Sequence, residues 1–231
     1  MRSVMQDAGL SELNRGEVLR YLGVHGGSLP PQLLQALDRC TAEMLAAAEP
    51  RWLYRRFPLR RTEAGICLEG TSLCLTGRDI ANHLGGCGEA FLLCATIGVA
   101  ADSLIRRRML TAPEEGVMLD ACATQAIEQT ADLAEAEIAA LCRKEGHGIT
   151  WRYSPGYGDL PLTLQRDFLA ACDAQRRIGL AVTENMLLTP CKSVTAVLGV
   201  TSLPEQDRPK DKCSRCPNRD RCAFRRRGDT C

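Results

Sequence analysis

The 231-residue chain carries 29 Lys and Arg against 28 Asp and Glu, and this formal net charge of +1 argues against whole-protein electrostatic capture by nucleic acid or an anionic membrane. With 45% hydrophobic and 25% charged residues the composition is globular, which excludes disorder and fibre, and the length suits one large domain or two small ones. The uncharged apolar run around Ala90 to Ala101 is shorter than the roughly 20 apolar residues of a bilayer span, and the start of the chain lacks a basic-then-apolar secretory pattern, so a soluble cytoplasmic protein is expected.

Leu33, Leu34, Leu37, Met44 and Leu45 recur at helical spacing between Pro30-Pro31 and Pro50, and predict a first amphipathic helix. Ile66 and Leu68, then Leu73 and Leu75 beyond Glu69-Gly70, alternate as the strands of a hairpin, with Cys67 and Cys74 on its other face. Ala90 to Ile97 reads as a buried strand between Gly85-Gly86 and Gly98. From Pro113 to about Arg143 the sequence is rich in Ala and Glu and free of internal proline, with Gly146 and Gly148 beyond it, and predicts a long helix. A turn cluster at Pro155-Gly156-Tyr157-Gly158-Asp159 precedes a helical stripe of Leu164, Phe168, Leu169 and Cys172. Val182 to Leu188 and Ser193 to Val200 are strand-like, the second with Val194, Ala196, Leu198 and Val200 at period two. Strands and helices do not alternate regularly, and neither a dinucleotide glycine fingerprint nor a phosphate loop is present, so the expected class is α+β. Residues 204–212, with two prolines and six charged residues, read as a linker between a domain at 1–203 and a cysteine-rich end.

Thirteen cysteines, an odd number in a chain without an export signal, favour reduced thiols and metal ligands over a disulfide framework. Those in apolar stretches, Cys67 and Cys74 among them, read as small core hydrophobes. Cys213, Cys216, Cys222 and Cys231 crowd the end of the chain in a segment with little apolar residue to bury, which suits a metal staple. Four thiolates fit tetrahedral zinc or an iron–sulfur cluster, against free or disulfide-forming thiols. From Arg208 to the C-terminus nine basic and three acidic residues give a net +6, so this tail suits an acidic protein face, with nucleic acid as the weaker rival. His25, His83 and His147 have no metal or nucleophile partner at a recognisable spacing and are expected in surface or capping roles.

Arg152-Tyr-Ser-Pro-Gly-Tyr-Gly-Asp-Leu-Pro161 resembles the Arg-x-x-Pro-Gly-Tyr-x-x-x-Pro signature of the activation domain of cobalamin-dependent methionine synthase. Thr183-Glu184 and Pro190 to Ser193-Val194 resemble the same domain's Thr-Glu and Pro-x-x-Ser-Val stretches, and Ala121 to Glu128 its Ala-rich helix bearing a glutamate. Arg51 to Phe57 and Ala95-Thr96-Ile97-Gly98 are similar to small stand-alone versions of this domain.

The resemblance implies a mostly antiparallel twisted sheet with long helices packed on it, here with a short cysteine-rich extension. It implies an activation subunit, a component of methionine biosynthesis, that binds S-adenosylmethionine and supports reductive methylation of the oxidised corrinoid of a separate methionine synthase core. An electron donor such as flavodoxin or ferredoxin completes the set of partners. The cobalt of the partner's cobalamin is the nucleophile, so the chain supplies no catalytic residue of its own and places the sulfonium methyl. Arg152 would pair with the ligand's carboxylate, Ser154, Gly156 and Tyr157 would line the pocket, and Glu128 and Glu184 would set negative charge near its sulfonium and ammonium. Thr124 stands where the fused domain has an acidic residue. Two rival readings stay open: an iron–sulfur protein that reduces a corrinoid, and a zinc-stabilised adaptor. On bare residue chemistry, Arg152 pairs equally well with a surface acid, and the Pro-Gly segment serves equally as a strand-to-helix turn.

Overall fold

The computed structural model describes residues 2–6, 9–24 and 29–202; the linker and the four tail cysteines lie outside the described residues. Strand β1 (Arg2–Gln6) is followed by helices α1 (Arg15–Tyr21) and α2 (Pro31–Ala47). Strands β2 (Arg51–Thr62), β3 (Gly65–Leu68) and β4 (Cys74–Leu75) come next, then α3 (Arg78–His83), β5 (Glu89–Thr96), α4 (Val99–Thr111) and α5 (Pro113–Lys144). Strand β6 (Gly148–Ile149), a single 3-10 turn at 162–164, α6 (Gln165–Cys172) and α7 (Ala174–Ile178) lead to β7 (Ala181–Val182), β8 (Leu188–Thr189) and β9 (Ser193–Thr201).

Seven strands form one sheet in the order β4-β3-β2-β5-β9-β6, with β1 also on β2, and every pairing is antiparallel. The class is α+β, with long helices against an antiparallel sheet. Side-chain alternation divides the core in two. Trp52, Tyr54, Phe91, Leu93, Ala196 and Leu198 face α1, α2, α4 and α5. Leu53, Phe57, Leu92, Cys94 and Val197 face the opposite layer, built on α3, α6 and α7. Coverage of both faces is why the central strand β5 is apolar almost throughout, whereas β9 shows its period-two stripe from Val194 to Val200 on the α5 side.

Helix α5, with 32 residues, is about 48 Å long. Pro113 at its first turn, Glu114 and Glu115 beside it, and Arg143 and Lys144 in the last turn match the helix dipole and the fixed φ of proline. Alanines at 121, 123, 126, 131, 134 and 139 keep the buried face small, so the helix lies close over the sheet. Trp52 Nε1 and Tyr54 Oη both donate to the Glu137 carboxylate, at 3.1 and 2.8 Å, and so tie β2 to it.

Three sequence expectations need correction. Val182 to Leu188 is not one strand: β7 and β8 pair with each other in a two-stranded hairpin, and Met186 with φ 61° makes its turn. Cys67 and Cys74 sit directly opposite in the β3–β4 register and are joined as a disulfide, because the predicted hairpin itself brings the two sulfurs together. His83 is 8% exposed instead of lying on the surface, for reasons given below.

Candidate ligand-binding site

The site residues are delivered by the end of α5 and a register change at the sheet edge. Gly146 takes φ +78°, and the His147 amide donates to the Cys142 carbonyl at 2.9 Å, which ends the helix and turns the chain back along β9. Ile149 pairs with Val200 and Tyr153 with Val197, so four steps on this side match three on β9. The extra residue makes a bulge. Within it the Thr150 hydroxyl takes the place of a ladder carbonyl and accepts the Gly199 amide at 2.8 Å.

The bulge lays Arg152 against α5. Its Nη2 donates to Asp132 Oδ1 at 2.8 Å and to Glu128 Oε2 at 3.2 Å, and its Nε lies 3.4 Å from Glu135 Oε2. Positions 128, 132 and 135 fall on one face of the helix. The Arg152 side chain is 19% exposed, and its Nη1 is buried with no hydrogen-bond partner among the described residues. Arg152 thus pairs with acids, as its bare residue chemistry allows, while its Nη1 takes no part in that pairing.

Beyond Arg152 the chain makes a tight turn. The Tyr157 amide donates to the Ser154 carbonyl at 3.0 Å, with Pro155 and Gly156, at φ +94°, in the central positions of a type II arrangement. Gly158 also needs its glycine, since at φ +52° a Cβ there would meet the Tyr153 hydroxyl and Asp79. The Asp159 carboxylate accepts the Arg78 and Asp79 amides at 2.6 and 3.0 Å, which fixes the loop to the start of α3. Tyr157 and Leu162 stand out from this loop, 60% and 43% exposed.

Residues flanking Arg152 are held from beneath by His83. Its Nε2 lies 2.8 Å from the Thr150 hydroxyl, its ring is edge-on to Trp151 at 4.7 Å, and it is tilted against Tyr153 at 4.9 Å. Tyr21, at the end of α1, has its hydroxyl pKa raised by burial and then by the Glu128 carboxylate, which places it near the same acid.

The structure thus brings Glu128 and Arg152 together and sets Ser154, Gly156 and Tyr157 in the adjoining turn. Glu184 is exposed in the β7–β8 turn, and no hydrogen bond or ion pair joins it to Arg152. Lys192 occupies the helix turn before Glu128: its Nζ contacts Asp120 Oδ1 at 2.8 Å and Thr124 Oγ1 at 2.9 Å. The loop carrying it is pinned by Asp102, which accepts the Cys191 amide at 2.6 Å. Asp132, Glu135, Lys192, Tyr21 and His83 were not singled out as site residues from the sequence. Only the first two left a signal there, as carboxylates spaced i, i+4, i+7 from Glu128. Among the described residues no group of three or more His, Cys, Asp or Glu is arranged to hold a metal ion, and no helix is long and apolar enough to cross a membrane.

No protein-family model matches the chain, and no curated protein matches it. Among solved structures it matches the crystal structure of the MetH reactivation domain bound to AdoHcy, with a TM-score of 0.64 at 15% identity, over 100% of this chain and 86% of that one. The fold is that of the MetH reactivation domain. At this identity the likeness concerns the fold alone.

Proposed function

We propose that this chain is an activation subunit that binds S-adenosylmethionine and presents its methyl group to the corrinoid of a separate methionine synthase core. The observation that carries the reading is the Arg152 cluster, set beside the Ser154–Tyr157 turn within a fold whose solved relative holds AdoHcy. The chemistry of the donors fits this ligand. Among the described residues the buried Nη1 of Arg152 lacks an acceptor, which the ligand's carboxylate would supply, and Glu128 and Asp132 offer negative charge to its ammonium and sulfonium. Gly156 allows close approach of the backbone to the adenosine, and Tyr157 provides an exposed ring beside it. The partner's corrinoid, reduced by a flavodoxin- or ferredoxin-type donor, supplies the nucleophile; the residues of this chain bind, orient and shield the methyl donor. Cys213, Cys216, Cys222 and Cys231 belong to the same proposal as a metal-binding extension to the domain at 1–203.

Calorimetric titration of S-adenosylmethionine into the full, anaerobically purified chain tests the reading. Saturable binding, lost in Arg152→Ala, is expected. A folded wild-type protein that binds nothing at millimolar ligand sinks it.

A further inference from the structure

We infer that Asp132, together with Glu128, makes the Arg152 site selective for the charge of its ligand, so that it holds the sulfonium donor more tightly than the neutral thioether left after methyl transfer. This rests on the functional reading above and goes beyond it in naming what distinguishes donor from product.

Two carboxylates converge on one guanidinium nitrogen: Asp132 Oδ1 at 2.8 Å and Glu128 Oε2 at 3.2 Å from Nη2 of Arg152. Counting these three groups alone, two negative charges face one positive charge, and the same guanidinium also reaches Glu135. The surplus is not hidden, because the Glu128 and Asp132 side chains are 41% and 68% exposed while Arg152 is 19% exposed. The adjacent cation, Lys192, is engaged one to two turns earlier by Asp120 and Thr124. Among the described residues, Glu128, Asp132 and Arg152 therefore leave one negative charge unbalanced beside the guanidinium.

S-adenosylmethionine carries a carboxylate, an ammonium and a sulfonium, a net charge of +1. On transfer the methyl carbon bonds to an electron pair of the acceptor, the carbon–sulfur bond breaks with its pair left on sulfur, and the ligand becomes neutral overall. The donor balances the surplus and the product does not. Two carboxylates one helical turn apart project to the same side, so a single bound ligand meets both. A neutral ligand has to place its carboxylate beside Arg152 with no sulfonium to offset Asp132.

The test compares dissociation constants for S-adenosylmethionine and S-adenosylhomocysteine on the full chain as wild type, Asp132→Asn and Asp132→Glu, at low and high salt. The wild type is expected to prefer the sulfonium ligand by about tenfold, and the preference should narrow as salt rises. Asp132→Asn should lose most of it, chiefly through weaker binding of the sulfonium ligand, and Asp132→Glu should keep it. Circular dichroism establishes that the variants are folded, and the salt dependence of the wild type tests the charge surplus without any substitution. If both ligands bind and the ratio is the same in wild type and Asp132→Asn, the charge-selection proposal falls and the site assignment stands. If folded wild type binds neither ligand, both fall.

Discussion

The Thr150 hydroxyl and Nε2 of His83 lie 2.8 Å apart in the buried floor beneath the site, linking α3 to the bulged segment that carries Arg152. Thr150 also takes the Gly199 amide, so one hydroxyl joins a helix, a bulge and the strand β9.

Removing the imidazole empties this floor and leaves Trp151 and Tyr153 without the ring they pack on. His83→Ala is expected to cost about 2–3 kcal/mol of stability, measured by urea unfolding. Ligand affinity should fall with it, even in conditions where the variant is fully folded. An unchanged affinity would mean that the position of Arg152 does not depend on His83.

Gly158→Ala puts a methyl group where Tyr153 and Asp79 already stand and holds an L-residue at φ +52°. The expected destabilisation is about 1–3 kcal/mol. Because the strain falls on the Ser154–Tyr157 turn, binding of S-adenosylmethionine should weaken at least several-fold. A Gly179→Ala control, whose added methyl meets nothing within 4 Å, should weaken binding far less.

The Cys67–Cys74 disulfide closes a short loop, with a sequence separation of 7. Its removal in a Cys67→Ser/Cys74→Ser variant is expected to cost about 2 kcal/mol, from the chain entropy restored to the unfolded state. Peptide mapping without reductant should recover the two cysteines as one cross-linked species. Recovery as separate free thiols under oxidising conditions would contradict the assignment.

Stability should decline at both pH extremes through one cluster where α2, α4 and α5 meet. The Arg108 hydrogen bond holds the Glu115 carboxyl below its ordinary value of 4.5, so this stabilisation is complete above that value and is lost as pH falls through the lower folded pKa. Burial pushes the nearby Cys40 thiol up to about 11 from 9.0, so its contribution is complete below 9.0 and is lost as pH rises through about 11. Urea midpoints across pH check both limbs. Glu115→Gln should flatten the acid side, and Cys40→Ala the alkaline side.

How much of this was legible in sequence varied with how local the cause was. Helix α5 and strand β9 announce themselves through composition and period, which are properties of the segment alone. The period-two pattern at β3 and β4 gave the hairpin but not the bond, because redox state is not a matter of periodicity. Strand β2, although central, is masked by Arg55, Arg56 and Pro58. Those arginines are tolerated only because Ala171 offers a carbonyl to one, and Glu89 and Glu145 offer carboxylates to the other. Arg152 stood out through its resemblance to a known signature, whereas His83 had no signal, since its partner is Thr150, 67 residues away.

Four steps from Ile149 to Tyr153 span the same length of edge as three from Val200 to Val197. Parity therefore decides which way Arg152 points, and a single-codon deletion between Ile149 and Arg152 would turn it toward the opposite face without altering any remaining side chain. Natural variation should accordingly conserve the length of this segment more strictly than its spelling, while the exposed turn near Glu184 has no such count to keep.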